Sequence, residues 1–183
     1  DIGNYQSAIN LFEQAEELAK ITKNNKNLID IYINMAQAKD YIYETEETIK
    51  YLNKADKALE NYEYLEASLE IKYIKALLLI NQNMLDESIK LSLEIIEECG
   101  DNFYKTKGNA YRLLAYIYAL LDKAEEALEL YEKSIELLKT VNYTKGILSA
   151  LNNIGNIYLD NYNALDKALS YFIKIKSLSE EHN

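Results

Sequence analysis

Few side chains in this sequence could do covalent or metal chemistry, and their spacing limits each one. His182 is the sole histidine and stands next to the last residue. A Ser–His–Asp or Cys–His arrangement would therefore rest on a frayed end. Cys99 is the sole cysteine, which excludes an intramolecular disulfide. Its neighbours in "EIIEECGD" are acids, which disfavour a thiolate, so it reads as a helix-end packing residue. With one histidine and one cysteine there is no His/Cys metal-ligand cluster. The five glycines are scattered and form no phosphate-binding loop. Acidic runs such as "ETEE" (44–47) read as a solvated helix surface, because paired acid–base carboxylates need a cleft that raises one pKa. Neither catalysis nor a cofactor is expected.

That leaves Arg112, the only arginine among 20 basic residues, in the run "NAYRLLAYIY" that begins at Asn109. Its guanidinium could fork onto a carboxylate of a ligand, or it could pair with Glu70 or another acid of a neighbouring helix. The formal charge of -10 argues against a nucleic-acid backbone or an anionic membrane surface as partner. The longest apolar run, "ALLLI" (76–80), is too short to span a bilayer. A reducing, cytoplasmic setting is expected from the cysteine usage. Proline is absent and glycine is scarce, which favours helices over a strand-rich fold.

The elements that must position these residues follow from an internal repeat. A small–bulky–small spacing appears as Ala8, Phe12, Ala15; Thr48, Leu52, Ala55; Ala127, Tyr131, Ser134; and Ala168, Phe172, Ile175, with a weaker copy at Ser88, Ser92, Ile95. The leading residues are separated by 40, 40, 39 and 41 positions. A second small residue (Ala36, Ala76, Ala115, Gly155) precedes each of the last four by 12, 12, 12 and 13. Two helices per unit, crossing closely at small residues, explain both series. Tyr111, Leu114, Ala115 and Tyr118 recur at i, i+3, i+4, i+7, one face of an α-helix. The spacing predicts helices over 4–20, 26–43, 46–61, 64–81, 84–98, 102–121, 123–139, 142–160 and 164–181. Asp122, three residues before Glu125, reads as a capping box, and Gly100 as a left-handed helix end. Lys72 and Lys75 fall on the expected inner stripe and blur the register of the third unit by about one residue.

"YRLLAYIYALLDKAEEALELYEKS" and "LNNIGNIYLDNYNALDKALSYF" resemble tetratricopeptide repeats. The resemblance implies an all-α, right-handed solenoid of antiparallel helix pairs, a superhelix of about nine helices. It divides the chain as one domain, 1–183, of 4.5 repeats: a half repeat at 1–24, then 25–62, 63–100, 101–140 and 141–183. The period is about six residues longer than the usual 34, and six helical residues add ~9 Å. Long repeats of this kind are similar to those of Gram-positive peptide-pheromone receptors and of bacterial multidomain signalling proteins. The opening "DIGNYQSAINLF" reads as the second helix of a unit, so Asp1 and Asn183 are expected to be cuts in a longer protein.

A second stripe runs about 100° from the first: Asn109, Arg112, Tyr116 and Ala119, then Ser149, Asn152, Asn156 and Leu159. Earlier copies are Asp30, Ile33, Gln37 and Asp40, and Glu70, Tyr73, Leu77 and Ile80. In the resembling family this stripe lines the concave, ligand-bearing face. Asn and Gln offer a donor and an acceptor to any peptide backbone. The expected ligand-binding residues are Asn109, Arg112, Tyr116, Asn152, Asn153, Asn156, Asn34, Gln37 and Tyr73. Two functions stand open: a non-catalytic scaffold for a protein or extended peptide, and a sensory, regulatory or dimerisation arm of a larger bacterial signalling protein such as a peptide-responsive transcription regulator or a diguanylate-cyclase-like enzyme. Tyr5, Ile9 and Phe12 read as an exposed apolar stripe that could pair copies into a homodimer.

Overall fold

The computed structural model describes residues 2–60 and 62–181. His182 and the expected cut points Asp1 and Asn183 lie outside the described residues. Among the described residues every regular element is a helix: α1 (Ile2–Ile21), α2 (Asn25–Tyr41), α3 (Thr45–Leu59), α4 (Leu65–Asn81), α5 (Leu85–Glu98), α6 (Tyr104–Leu120), α7 (Ala124–Thr140), α8 (Thr144–Asp160) and α9 (Leu165–Glu181). All lie within two residues of the bounds expected from the periodicity.

The turns are built by one device. Lys23, Tyr43, Asn83, Asp122 and Asn142 each take a positive φ. The next residue's N–H then bonds five residues back: Asn24 to Ala19, Glu44 to Lys39, Met84 to Leu79, Lys123 to Tyr118 and Tyr143 to Leu138. This six-to-one bond satisfies a carbonyl that the helix end leaves open. The expected capping box is corrected by it. Asp122 is the left-handed residue that closes α6 (φ 58°), so it cannot also open α7, whose N-cap is Lys123 without a side-chain cap bond. Only at α2 does a described cap use a side chain, Asn24 Oδ1 accepting from the Asn27 N–H at 3.1 Å. Gly100 is left-handed as expected (φ 51°).

The helices form two compact units, residues 1–78 and 79–183, with the boundary in the last turn of α4. In the first unit Ala36, Thr48, Ala55 and Ala76 are wholly buried, and Met35, Leu52, Ile71 and Ile74 fill the space around them. The register of α4 follows the repeat. Ala76 is covered, while the half-buried Lys75 reaches Asp56 at 2.6 Å. Tyr5, Ile9 and Phe12 are not an exposed stripe: Ile9 is buried and Tyr5 and Phe12 pack on the core, because that face of α1 meets α2. Leu11, Leu18 and Ile21 of α1 are the open apolar residues among those whose exposure is described.

A buried ion cluster ties α1 to α2 and α3. Glu16 accepts from Lys20 at 2.6 Å, from Lys54 at 3.2 Å and from the Tyr32 hydroxyl at 3.3 Å. Lys54 Nζ also lies 4.4 Å from the Tyr51 ring centroid and 5.1 Å from that of Tyr32. Burial alone would raise the Glu16 pKa, but the hydrogen bonds from Lys20 and Lys54 outweigh it and leave the carboxyl below its ordinary value.

In the second unit Ala115 and Ala127 are wholly buried where α6 crosses α7. About two turns further along each helix, Ser134 Oγ donates to the Gly108 carbonyl at 2.7 Å. A Cβ on Gly108 would stand 2.7 Å from Leu138 Cδ2 and 3.3 Å from the Ser134 carbonyl. The α8–α9 crossing repeats the arrangement with Gly155 against Phe172.

Two outcomes follow. Gly108→Val should lower stability by about 1–3 kcal/mol through overpacking, read by urea denaturation. Glu16→Gln should lower the melting temperature at pH 7. The folded state holds Glu16 with a depressed pKa, so its contribution is present above the unfolded value, about 4.3, and is lost as pH falls through the folded one. Melting curves of the two proteins should therefore converge below that range.

Candidate functional site

The close α6–α7 contact fixes the rotation of α6, and with it one side of that helix. Asn109, Arg112 and Tyr116 stand at i, i+3 and i+7 along that side. On α8 the corresponding positions are Ser149, Asn152 and Asn156. The two stripes are joined: Arg112 Nη1 donates to Ser149 Oγ at 3.2 Å. Tyr116 is 42% exposed, and Asn152 and Asn156 are open to solvent. Arg112, Asn109 and Asn153 are half-buried. The structure thus brings six of the expected residues onto two neighbouring helices of one unit.

Beneath them lies a group that sequence reasoning had left in the core. Tyr131 of α7 is wholly buried, as expected of its position in the repeat. Its hydroxyl, however, makes no well-formed hydrogen bond. Burial pushes the phenol well above its ordinary pKa, while the Asn153 side chain and the Arg112 charge pull the other way. The Asn109 Oδ1 is also covered and without a hydrogen-bond partner. An unsatisfied buried polar atom costs about 1–3 kcal/mol, and the Tyr131 hydroxyl and Asn109 Oδ1 are two such atoms in this unit. The signal was present in the repeat: where the position is bulky it reads Phe12, Leu52, Tyr131 and Phe172, and of these Tyr131 alone adds a polar atom.

Comparison with known proteins agrees with this architecture. Residues 108–142, which cover most of α6 and all of α7, match the family model described as tetratricopeptide repeat. A Rap protein complexed with competence and sporulation factor has 17% identity and a TM-score of 0.84, over 98% of this chain and 51% of that one. The apo form of RapI has 18% identity and a TM-score of 0.73, over 97% of this chain and 65% of that one. BtubC (BKLC) from P. vanneervenii has 15% identity and a TM-score of 0.70, over 98% of this chain and 72% of that one. Residues 108–142 form one tetratricopeptide-type repeat, and the chain as a whole shares the fold of these neighbours. Its fold is all-α and of the helical-solenoid class. The chain spans about half and about two thirds of the length of the two Rap proteins. No curated protein matches it.

The remaining expected residues lie on helices α2 and α4 of the first unit. Asn34 is exposed and donates back to the Asp30 carbonyl at 2.8 Å. Gln37 on α2 and Tyr73 on α4 are half-buried. Asp40, at the C-terminal end of α2, is half-buried, and burial raises its carboxyl above the ordinary range. The helix dipole there disfavours a negative charge as well. Tyr64, just before α4, is pushed up to about 12 by burial and then by Asp30, which shares a hydrogen bond with it. Cys99 caps α5 and is buried. Burial raises its thiol pKa, and Lys107, a base outside the local run of acids, partly opposes that. Among the described residues no group of three His, Cys, Asp or Glu could hold a metal ion, and no helix is long and apolar enough to cross a membrane.

Asp40 generates a pH prediction. A raised folded pKa means the fold favours the protonated acid. Its stabilising contribution is present below the unfolded value, about 3.9, and is lost as pH rises through the folded one. Asp40→Asn should therefore melt higher than wild type at pH 7, and the two should converge at pH 3.

Proposed function

We propose that this chain is a non-catalytic scaffold that binds an extended peptide or protein segment on the α6 and α8 stripes of its second unit. The observation that carries the reading is the Arg112–Ser149 contact, which joins the α6 stripe, with its exposed Tyr116, to the α8 stripe, with its exposed Asn152 and Asn156. Asn152, Asn153 and Asn156 can each serve a peptide N–H and C=O whatever the side chains of the ligand. Tyr116 adds rigid apolar area at small entropic cost. Arg112 supplies a fork for a carboxylate. Asn109, half-buried on the same side of α6, is proposed to join them. In the first unit Asn34, Gln37 and Tyr73 are proposed as contacts of the same kind. None of these roles requires a nucleophile, a metal or a cofactor. The complex of a similar Rap protein with competence and sporulation factor supports a peptide as ligand.

That same likeness favours a second reading, in which the chain is the sensory or regulatory arm of a larger bacterial signalling protein in the cytoplasm. There the repeats would receive a signal peptide or bring two copies together. An adjoining helix-turn-helix or nucleotide-cyclase sequence in the parent gene would decide for this reading.

The experiment is fluorescence anisotropy of the chain with a random library of labelled pentapeptides. Micromolar binders are expected. Arg112→Ala should weaken the best of them by roughly tenfold or more, since a charge-assisted bond contributes about 1.5–3 kcal/mol. Unchanged affinity with a lowered melting temperature would assign Arg112 to the fold alone.

A further inference from the structure

The side of α8 roughly opposite Asn152 and Asn156, by the 3.6-residue period, opens into a cleft of about 540 Å³. Ile147, Leu151 and Ile154 of α8 form its floor, and α7 and α9 form its walls. The floor residues stand at i, i+4 and i+7 along α8. Ile135 of α7 with Tyr171 and Leu178 of α9 completes the apolar lining. The α9 wall runs from Tyr171 to Glu181, ~15 Å of helix at 1.5 Å per residue. The repeat shows why there is space here. Leu151 takes the register that Tyr111 holds in the preceding unit, and Ile147 takes that of Lys107. Two long side chains are thus replaced by shorter apolar ones.

The charge around the cleft is uneven. α7 carries five glutamates against two lysines, and Glu132 and Glu136 stand exposed on the rim, one turn apart. α9 is balanced, with three acids and three lysines. Its rim lysine, Lys174, lies 4.5 Å from the centroid of the Tyr171 ring on its own helix. Lys139 and Glu181 also line the cleft. The helices of the Arg112 stripe are the reverse of α7. α6 and α8 together hold Lys105, Lys107, Arg112 and Lys145 against one acid, Asp160. A basic partner is therefore drawn to the α7 side and not to the stripe. We propose that the cleft between α7 and α9 is a second docking site, which takes an amphipathic helix of a partner protein with a basic flank.

An amphipathic helix presents its apolar side chains at i, i+3 or i+4, and i+7. That is the spacing of Ile147, Leu151 and Ile154, so the ridge of one helix can enter the groove of the other. Lys or Arg residues one turn apart on the incoming flank meet Glu132 and Glu136, which are one turn apart on α7. The incoming helix also shields these pairs from water, which strengthens them relative to an open surface pair. An acidic flank would face the same glutamates and be repelled.

The inference stands apart from the peptide-binding reading, and either can fail without the other. The probe is a labelled, Ala-rich helical peptide of about 15 residues with a leucine stripe and lysine flanks. Its companions carry glutamine flanks, glutamate flanks, or the same composition scrambled so that the stripe is lost. Fluorescence anisotropy should show micromolar binding of the lysine-flanked probe, with the glutamate-flanked and scrambled forms weaker by roughly tenfold or more. Leu151→Tyr puts the residue of the Tyr111 register into the cleft. It should keep the melting temperature and weaken the probe by roughly tenfold. Ser177→Trp, made at an exposed position of the α9 wall, blocks the cleft independently and should do the same. Glu132→Gln combined with Glu136→Gln should weaken the lysine-flanked probe by about fivefold or more and leave the glutamine-flanked one unchanged. Arg112→Ala should change none of these affinities. Equal binding of the striped and scrambled probes overturns the proposal, since charge alone would then hold the peptide. Full affinity in both Leu151→Tyr and Ser177→Trp overturns it by placing the probe elsewhere. Displacement of the probe by a library pentapeptide overturns the second site, because both ligands would then share one surface.

Discussion

The close approach of helix backbones at small residues is the constraint on which the rest of this structure depends. Ala36 with Thr48, Ala115 with Ala127 and Gly155 with Ala168 are all buried where paired helices cross. A larger side chain at such a point would separate the axes and open voids around Met35, Leu52 or Leu138. Once the crossing is fixed, so is the rotation of each helix about its own axis. Everything on the exposed side, including the Arg112 stripe, inherits its direction from a methyl group or a hydrogen on the buried side.

This is why the fold was legible in the sequence. A small residue every forty positions is a pattern of types, and types are what a sequence displays. The helix ends were legible to within two residues because the connecting turns recur on half that period. Their conformation was not. Asp122 has the side chain of a cap but the backbone of a helix end. The choice depends on whether the preceding carbonyl is still seeking a donor, which composition does not show. The face of α1 was misread for a related reason. Tyr5, Ile9 and Phe12 look unpartnered until α2 is folded back onto them.

The candidate site was legible in outline and hidden in detail. Spacing alone placed Asn109, Arg112 and Tyr116 on one side of α6, and Asn152 and Asn156 on one side of α8. What spacing could not give was the contact across helices. Ser149 appeared as one more polar residue of the stripe, and the structure makes it the link to Arg112. Tyr131 appeared as a core aromatic, and it is one. That its hydroxyl ends up covered without a hydrogen-bond partner depends on the depth of packing around α7, a distance that no local pattern encodes.

The two units also show two ways of burying polar groups, and the contrast bears on function. Around Glu16 every charge has an answer. Two ammonium groups and a phenol meet one carboxylate, and two rings flank one of the ammonium groups. Such a cluster is complete in the free chain and asks nothing of a partner. Around Arg112 the accounting differs, for Tyr131 and Asn109 each keep a covered atom without a finished bond. A fold that can pack Phe or Leu in the same register has no structural need of that incompleteness. A local cost that the rest of the fold is able to avoid, and does avoid elsewhere, is the expected physical mark of a surface adapted to something beyond the fold itself.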